Sequence, residues 1–144
     1  MRAYLSRRYT LSASHRLHSD RFTDEHNQEV FGKCNNPHGH GHNYIVEVTV
    51  GGDVNPVTGM VCNMVELDDC VRREVIARFD HTNLNLTPEF AELIPTTENF
   101  CMEVYERLAS VFDEAELVRV RIEETRNNSF EYSGRKHPVV RVSS

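Results

Sequence analysis

The chain has 144 residues, of which 39% are hydrophobic and 26% are charged, and this composition is typical of a folded globular protein. Its net charge of -6 and lack of a lysine-rich block argue against nucleic acid or an anionic membrane as the main partner. No apolar run approaches a membrane span of about 18 residues, and the N-terminus lacks the apolar part of a secretory signal. We therefore expect one domain over residues 1–144, located in the cytoplasm.

The first half of the chain predicts two strands with a short helix between them. Alternation of apolar and polar residues predicts a strand over residues 4–17, with His15 on the same face as Leu11. A short helix is predicted from Thr23 to near Gly32. The second strand, over residues 43–50, places four residues on one face: Tyr44, Val46, Val48 and Val50.

Two amphipathic helices and two further strands are predicted in the second half. Apolar spacing predicts one helix over residues 65–79 and another after Pro95, which Thr97 caps and which extends to Val111. Strands are expected over residues 117–125 and 129–132. The β-β-α-α-β-β order predicts an α+β fold, in which an antiparallel four-stranded sheet carries both helices on one face. Its open edges and uncovered face favour oligomerisation.

A histidine cluster follows Cys34, in the sequence Cys-Asn-Asn-Pro-His-Gly-His-Gly-His that ends at His42. An H-x-H pair entering a strand projects two imidazoles from one face, and His15 at the end of the neighbouring strand could be the third ligand. Three imidazoles with one open position are typical of a catalytic zinc site. Spacing alone does not decide which two of His38, His40 and His42 bind, and a solvated polar loop is the alternative.

Cys34 and an Asp-His pair could supply acid and base groups. Cys34 could be a fourth ligand, which would close the site, a reactive thiolate or a structural thiol. Asp80 and His81 follow the first long helix, and a simple helix end would explain them equally well. The other cysteines are expected to be buried thiols: Cys62, Cys70 and Cys101.

Several separated motifs resemble the 6-pyruvoyl-tetrahydropterin synthase family from about Arg8 to Gly134. They are Ser12-Ala13-Ser14-His15-Arg16-Leu17, Phe31-Gly32-Lys33-Cys34-Asn35-Asn36-Pro37 with His40-Gly41-His42-Asn43-Tyr44, Asp80-His81 with Asn83-Leu84, Thr96-Thr97-Glu98-Asn99, and Glu124-Thr125. The resemblance implies the tunnelling fold, usually assembled as a homohexamer of two stacked trimers. Active sites would then lie between subunits, and Asp80 and His81 could serve a neighbouring chain.

The resemblance also implies a role for each motif residue. The Zn2+ ligands would be His15, His40 and His42, and His38 would not bind. Cys34 would abstract a proton with the help of Asp80 and His81. Glu124 would anchor the pterin ring, because a carboxylate accepts two parallel hydrogen bonds. Three residues would line its pocket: Thr96, Thr97 and Glu98.

The implied substrate is 7,8-dihydroneopterin triphosphate, which would lose triphosphate and rearrange to 6-pyruvoyltetrahydropterin without a nicotinamide or flavin. Four cations lie near the motifs and are candidates for the triphosphate: Arg7, Arg8, Arg16 and Lys33. A 6-carboxytetrahydropterin synthase of queuosine biosynthesis is the rival. Five residues separate Cys34 from His40, as in the biopterin type, whereas the carboxy type typically has three. A non-catalytic zinc- or pterin-binding homologue is a further alternative.

Overall fold

The fold comes from a computed structural model that describes residues 1–134. The tail after Gly134, including His137, lies outside the described residues. The strands are β1 (Arg2–His15), β2 (His40–Asp53), β3 (Thr82–Asn83), β4 (Glu116–Thr125) and β5 (Asn128–Tyr132). The α-helices are α1 (Asp24–Phe31), α2 (Met64–Val71), α3 (Ala77–Phe79) and α4 (Thr97–Val111). Over the described part of the chain, no helix combines the length and apolar character needed to cross a membrane.

The predicted α+β architecture is confirmed, but the sheet has five strands rather than four. Its order is β3-β1-β2-β4-β5, and every pair is antiparallel except β3 with β1, which is parallel. The added strand is only Thr82–Asn83, which pairs with Ala13 and Ser14. A strand of two residues is too short to show an alternation of apolar and polar side chains in the sequence. It forms because the loop after α3 returns to the open edge of β1.

The core lies between one face of the sheet and the helices. On β2 the four residues predicted to share a face are all fully buried: Tyr44, Val46, Val48 and Val50. Leu11 and Ala13 of β1 join the same cluster, as do Val120 and Ile122 of β4. Helices α2 and α4 cover this face with apolar residues, including Leu67 and Phe100. Both helices therefore lie on one side, as predicted.

The helix predicted over residues 65–79 is correct in position but not uniform. A π-helical segment, Arg72–Ile76, separates α2 from α3. Its Val75 is fully buried, as are Val71 before it and Phe79 after it. The wider π turn shifts the helical register by one residue, which a count of apolar spacing does not detect.

The face of the sheet opposite the helices carries a ladder of charges. The Arg8 Nε donates to Glu47 Oε2 at 2.9 Å, and Arg119 lies 3.5 Å from Glu47 and 3.3 Å from Glu131. Glu47 is only 8% exposed although it lies on this face. The ladder spans four strands, β1, β2, β4 and β5, and gives this side of the sheet a polar character.

Candidate metal and pterin site

Pairing of β1 with β2 brings three histidines together at one end of the sheet. The last residue of β1, His15, pairs with the first residue of β2, His40, and Ala13 pairs with His42. Alternation along β2 puts His40 and His42 on the same face as the buried Tyr44. His38 precedes the strand and is exposed.

The Nε2 atoms of the three imidazoles point at one another. The His40 Nε2 lies 3.1 Å from His15 Nε2 and 2.9 Å from His42 Nε2. On the other side of the His15 ring, Nδ1 lies 2.8 Å from the Pro95 carbonyl oxygen. A carbonyl only accepts hydrogen bonds, so His15 carries its proton on Nδ1 and directs a bare Nε2 lone pair into the cluster.

This arrangement fits a metal better than it fits hydrogen bonding. Because His15 Nε2 is bare and the His40 Nε2 carries at most one proton, only one of the two contacts of His40 can be a full hydrogen bond. A shared cation satisfies all the lone pairs together. In a tetrahedral zinc site with Zn–N bonds of about 2.0–2.1 Å, two ligand nitrogens lie about 3.3 Å apart, close to the separations found.

Burial keeps two of these imidazoles neutral. Loss of solvent lowers the pKa of His15, which is 1% exposed, and the Pro95 hydrogen bond only partly opposes this effect. Burial also lowers the pKa of His42. Both rings are therefore uncharged at neutral pH, which is the form that binds metals.

Cys34 lies beside the histidines in a 3-10 helix, Gly32–Asn35, that links α1 to β2. Its Sγ is 3.7 Å from His40 Nε2. Two overlapping groups have ligand atoms within 4.8 Å of one another, namely His15 with Cys34 and His40, and His15 with His42 and Glu124. Burial, and secondarily the charge of Glu124, raise the pKa of the Cys34 thiol. Without an added positive charge, the protein keeps this thiol protonated at neutral pH.

Glu124 reaches the cluster from the end of β4. It follows Val120 and Ile122 on the helix-facing side, and the β4–β5 register shifts between Glu123 and Thr125, so Glu124 is the extra residue of a bulge. Thr97, only 2% exposed, donates a hydrogen bond from Oγ1 to Glu124 Oε2. The carboxylate is thereby fixed at the border between the histidines and the start of α4.

The first turn of α4 differs in one detail from the prediction, which assigned the cap to Thr97. The N-cap is Thr96, whose Oγ1 accepts a hydrogen bond from the Asn99 backbone nitrogen at 3.1 Å. Thr97 points inward to Glu124 instead, which leaves its hydroxyl unable to cap the helix. Glu98 is on the exposed side of the same turn, where an acidic side chain interacts favourably with the helix dipole.

Asp80 and His81 are not placed beside Cys34 of the same chain. The Ser12 backbone nitrogen donates to Asp80 Oδ1 at 2.8 Å, and the His81 nitrogen donates to the Ser12 carbonyl oxygen at 2.6 Å. The His81 side chain is 83% exposed, lies 3.5 Å from Asp80, and has a positive φ of 59°. Such a conformation is strained for a residue other than glycine. The pair is therefore attached to β1 through Ser12, and the His81 side chain is the one that faces outward.

Cys34 instead lines a cleft of about 740 Å³ with His40, His42 and Lys33. This volume lies within the usual range for small-molecule sites, roughly 300–1,000 Å³. The cleft gives a ligand direct access to the thiol and to two of the imidazoles.

Two contacts of this site were not anticipated from the sequence. The Tyr44 hydroxyl lies 3.4 Å from His15 Nδ1, and the Pro95 carbonyl lies on the same side of the ring. Tyr44 continues the alternation of His40 and His42, and this pattern could have indicated its proximity to the site. A backbone carbonyl leaves no signal in the sequence.

The sheet order and the cluster of three imidazoles define a tunnelling-fold domain with a candidate metal centre. The family model described as 6-pyruvoyl tetrahydropterin synthase matches residues 4–135. The chain belongs to this family.

Individual relatives agree with this assignment. The chain is 45% identical over 133 residues to a 6-pyruvoyl tetrahydrobiopterin synthase from Homo sapiens, with 92% of each chain covered. The solved structure of 6-pyruvoyl tetrahydropterin synthase from Caenorhabditis elegans superimposes with a TM-score of 0.89 and 40% identity, covering 93% of this chain and 96% of that one. A 6-carboxy-5,6,7,8-tetrahydropterin synthase from Bacillus subtilis is 30% identical over 117 residues, or 76% of each chain.

Proposed function

We propose that this chain is a zinc-dependent 6-pyruvoyl-tetrahydropterin synthase, a lyase that converts 7,8-dihydroneopterin triphosphate to 6-pyruvoyltetrahydropterin with elimination of triphosphate. The observation that carries the proposal is the convergence of three imidazole Nε2 atoms between Cys34 and Glu124. The names of the similar relatives support the same reaction.

The metal is assigned to His15, His40 and His42. When bound, zinc would supply a positive charge that polarises a substrate oxygen and favours the thiolate form of Cys34. The Pro95 carbonyl holds His15 in the tautomer that this binding needs. Zinc is the metal that best matches imidazole ligands with one open position.

Cys34 is assigned as the base that removes a carbon-bound proton from the substrate side chain. Its Sγ lines the open cleft and lies next to the imidazole cluster, so a substrate in the cleft reaches both. The sulfur must stay unligated for this role, because coordination to a cation withdraws electron density from a thiolate and makes it a weaker base.

Glu124 is assigned as the anchor of the pterin ring. Its two carboxylate oxygens accept hydrogen bonds from the exocyclic amino group and a ring nitrogen, and Thr97 fixes the orientation of the carboxylate. We assign Thr96 and Glu98, which lie in the same turn as Thr97, to this side of the pocket as well.

Asp80 and His81 are assigned to the proton relay of a neighbouring chain. The exposure of the His81 side chain and the attachment of both residues to Ser12 support a role across a subunit interface. This assignment requires an oligomer, which we propose to be the homohexamer of the family. The cytoplasm is the proposed location, and the free state of all four cysteines is consistent with a reducing compartment.

Lys33 is the cation that we assign to the substrate triphosphate. Arg7 is bound to both carboxylate oxygens of Asp68, and Arg8 is bound to Glu47 on the opposite face of the sheet. The Arg16 Nε donates to the Asn35 carbonyl. Of the four cations near the motifs, Lys33 is the one that lines the Cys34 cleft.

Replacing Lys33 with glutamine is expected to raise KM for the triphosphate substrate about tenfold while kcat changes little, because a charged contact of this kind contributes about 1.4 kcal/mol. Steady-state kinetics measure both constants. The inhibition constant of dihydroneopterin without phosphate should stay the same in this variant, and Arg73→Gln, an exposed charge on the π-helical segment, is the control. An unchanged KM would remove Lys33 from the triphosphate site.

Product identification tests the reaction itself. Zinc-loaded protein is incubated with 7,8-dihydroneopterin triphosphate, and the pterin products are separated and identified. Triphosphate with 6-pyruvoyltetrahydropterin is the expected result. A carboxy product with acetaldehyde would favour the rival synthase, to which the Bacillus subtilis relative also points, and no turnover by the zinc-loaded protein would favour a non-catalytic binder.

A further inference from the structure

Asn35 has a buried amide group that the proposed reaction does not use. The residue directly follows Cys34, ends the 3-10 helix Gly32–Asn35, and is 2% exposed. It does not line the cleft that Cys34 lines. Because a buried amide is costly unless its hydrogen bonds are made, the partners of Asn35 indicate which parts of the chain it holds together.

The polar atoms of the Asn35 side chain bond two separate parts of the chain. Its Nδ2 donates to the Leu17 carbonyl oxygen at 2.7 Å and lies 3.0 Å from His18 Nδ1, while its Oδ1 accepts from Gln28 Nε2 at 3.0 Å. A carbonyl only accepts, so the Leu17 contact fixes which end of the amide carries the nitrogen. The amide therefore joins α1, which contains Gln28, to residues 16–18, the segment that follows β1.

Backbone atoms of the 3-10 helix make the same connection. The Leu17 nitrogen donates to the Cys34 carbonyl oxygen at 2.7 Å, and the Arg16 Nε donates to the Asn35 carbonyl oxygen at 3.2 Å. Arg16 and Leu17 directly follow His15, the end of β1. A shift of the 3-10 helix relative to this segment would therefore change the distance between the Cys34 sulfur and the imidazole cluster.

We infer that Asn35 is a positioning residue that holds the Cys34 thiol beside the imidazole cluster by tying its 3-10 helix to the segment after His15. The inference rests on the proposed function, which assigns the base to Cys34 and the metal to the histidines. A 3-10 helix of four residues has poorer hydrogen-bond geometry than an α-helix, so it depends on outside contacts. A base must lie within hydrogen-bond reach of the proton that it removes.

Asn35→Leu keeps a side chain of similar size and removes the donors and the acceptor of the amide. We expect kcat to fall roughly 10- to 100-fold, because a misplacement of about 1 Å in an active site can cost about 100-fold in rate. Since Asn35 lies outside the cleft, KM should change by less than about threefold. Steady-state kinetics measure both constants, and elemental analysis should find the wild-type content of zinc.

Asn27→Leu is the matched control. Asn27 is also a buried amide, with 0% exposure, but its side chain bonds Ser19 and Thr23 at the start of α1. Both variants lose the bonds of a buried amide and should unfold at a lower temperature, whereas Asn27→Leu should keep kcat within about twofold of wild type. An equal fall of kcat in the two variants would overturn the inference, and so would a wild-type kcat in Asn35→Leu.

A second variant keeps the inference testable if Asn35→Leu does not fold. Gln28→Met removes the donor to Asn35 Oδ1 from an exposed position, so the fold should tolerate it. We expect a fall in kcat of about threefold, smaller than for Asn35→Leu because the contacts with residues 16–18 remain. In that case, an unchanged kcat in Gln28→Met would overturn the inference.

A double-mutant cycle with Cys34→Ala tests whether Asn35 acts through the thiol. Asn35→Leu should lower the residual rate of Cys34→Ala by less than about threefold, because no thiol remains to be positioned. A loss of about tenfold or more in that background would overturn the inference and leave Cys34 as the base. Full activity of Cys34→Ala alone would instead remove the base assigned in the proposed function, and the inference with it.

Discussion

Cys34→Ala is expected to slow turnover by about 10²- to 10⁴-fold, the usual contribution of a general base, while the protein keeps its full content of zinc. The methyl group of alanine cannot accept a proton, and the three imidazoles that we assign to the metal stay in place. Single-turnover kinetics with metal-loaded protein measure the rate, and elemental analysis of the same samples measures zinc per chain.

A second cysteine provides the control for this experiment. Cys62 is buried and unpaired, as a structural thiol would be, and lies outside the histidine cluster, so Cys62→Ala should retain the wild-type rate. Full activity in Cys34→Ala would exclude Cys34 as the base. Loss of zinc from that variant would instead identify Cys34 as a ligand, as its grouping with His15 and His40 allows.

His42→Ala is expected to weaken zinc binding by more than about 100-fold. Changing a residue that only hydrogen-bonds to a metal ligand weakens binding by up to about 100-fold, and the loss of a ligand itself should have a larger effect. The reason is that the variant lacks one of three direct ligands, and His15 and His40 alone leave two coordination positions open. Dialysis against a chelator followed by elemental analysis measures the retained metal, and activity should fall in parallel.

His38→Ala is the matched control because His38 is an exposed histidine two residues before His40. It should keep both its zinc and its activity. Unchanged metal content in His42→Ala would show that the assigned set of ligands is wrong. Loss of metal from His38→Ala would show that His38 is itself a ligand.

Strands and helices with a clear periodicity of apolar residues could be predicted from the sequence. Elements that form only through contacts with distant parts of the chain could not. The buried face of β2 follows from strict alternation between Tyr44 and Val50, and the same alternation extends back to His42 and His40. In contrast, β3 exists only because the loop after α3 meets the open edge of β1. No local pattern in two residues could reveal that pairing.

The candidate site shows the same limit. The histidine motif is local, so its convergence with His15 needed only the pairing of two sequential strands. The Pro95 carbonyl is 80 residues from His15 in sequence and has no side-chain signature. Two adjacent threonines are equivalent as capping residues by type, and only the tertiary position of Glu124 makes Thr97 turn inward and leaves the cap to Thr96.

The proposed mechanism requires that three imidazoles hold the metal and leave the Cys34 sulfur free to accept a proton. X-ray absorption at the zinc edge of the metal-loaded protein tests this claim most directly, because sulfur and nitrogen ligands differ in distance and scattering. We expect three imidazole nitrogens at about 2.0–2.1 Å from the zinc, with an oxygen atom as the fourth ligand. A sulfur ligand at about 2.3 Å would contradict it, since the site would then be closed by Cys34 and the thiol could not act as the base.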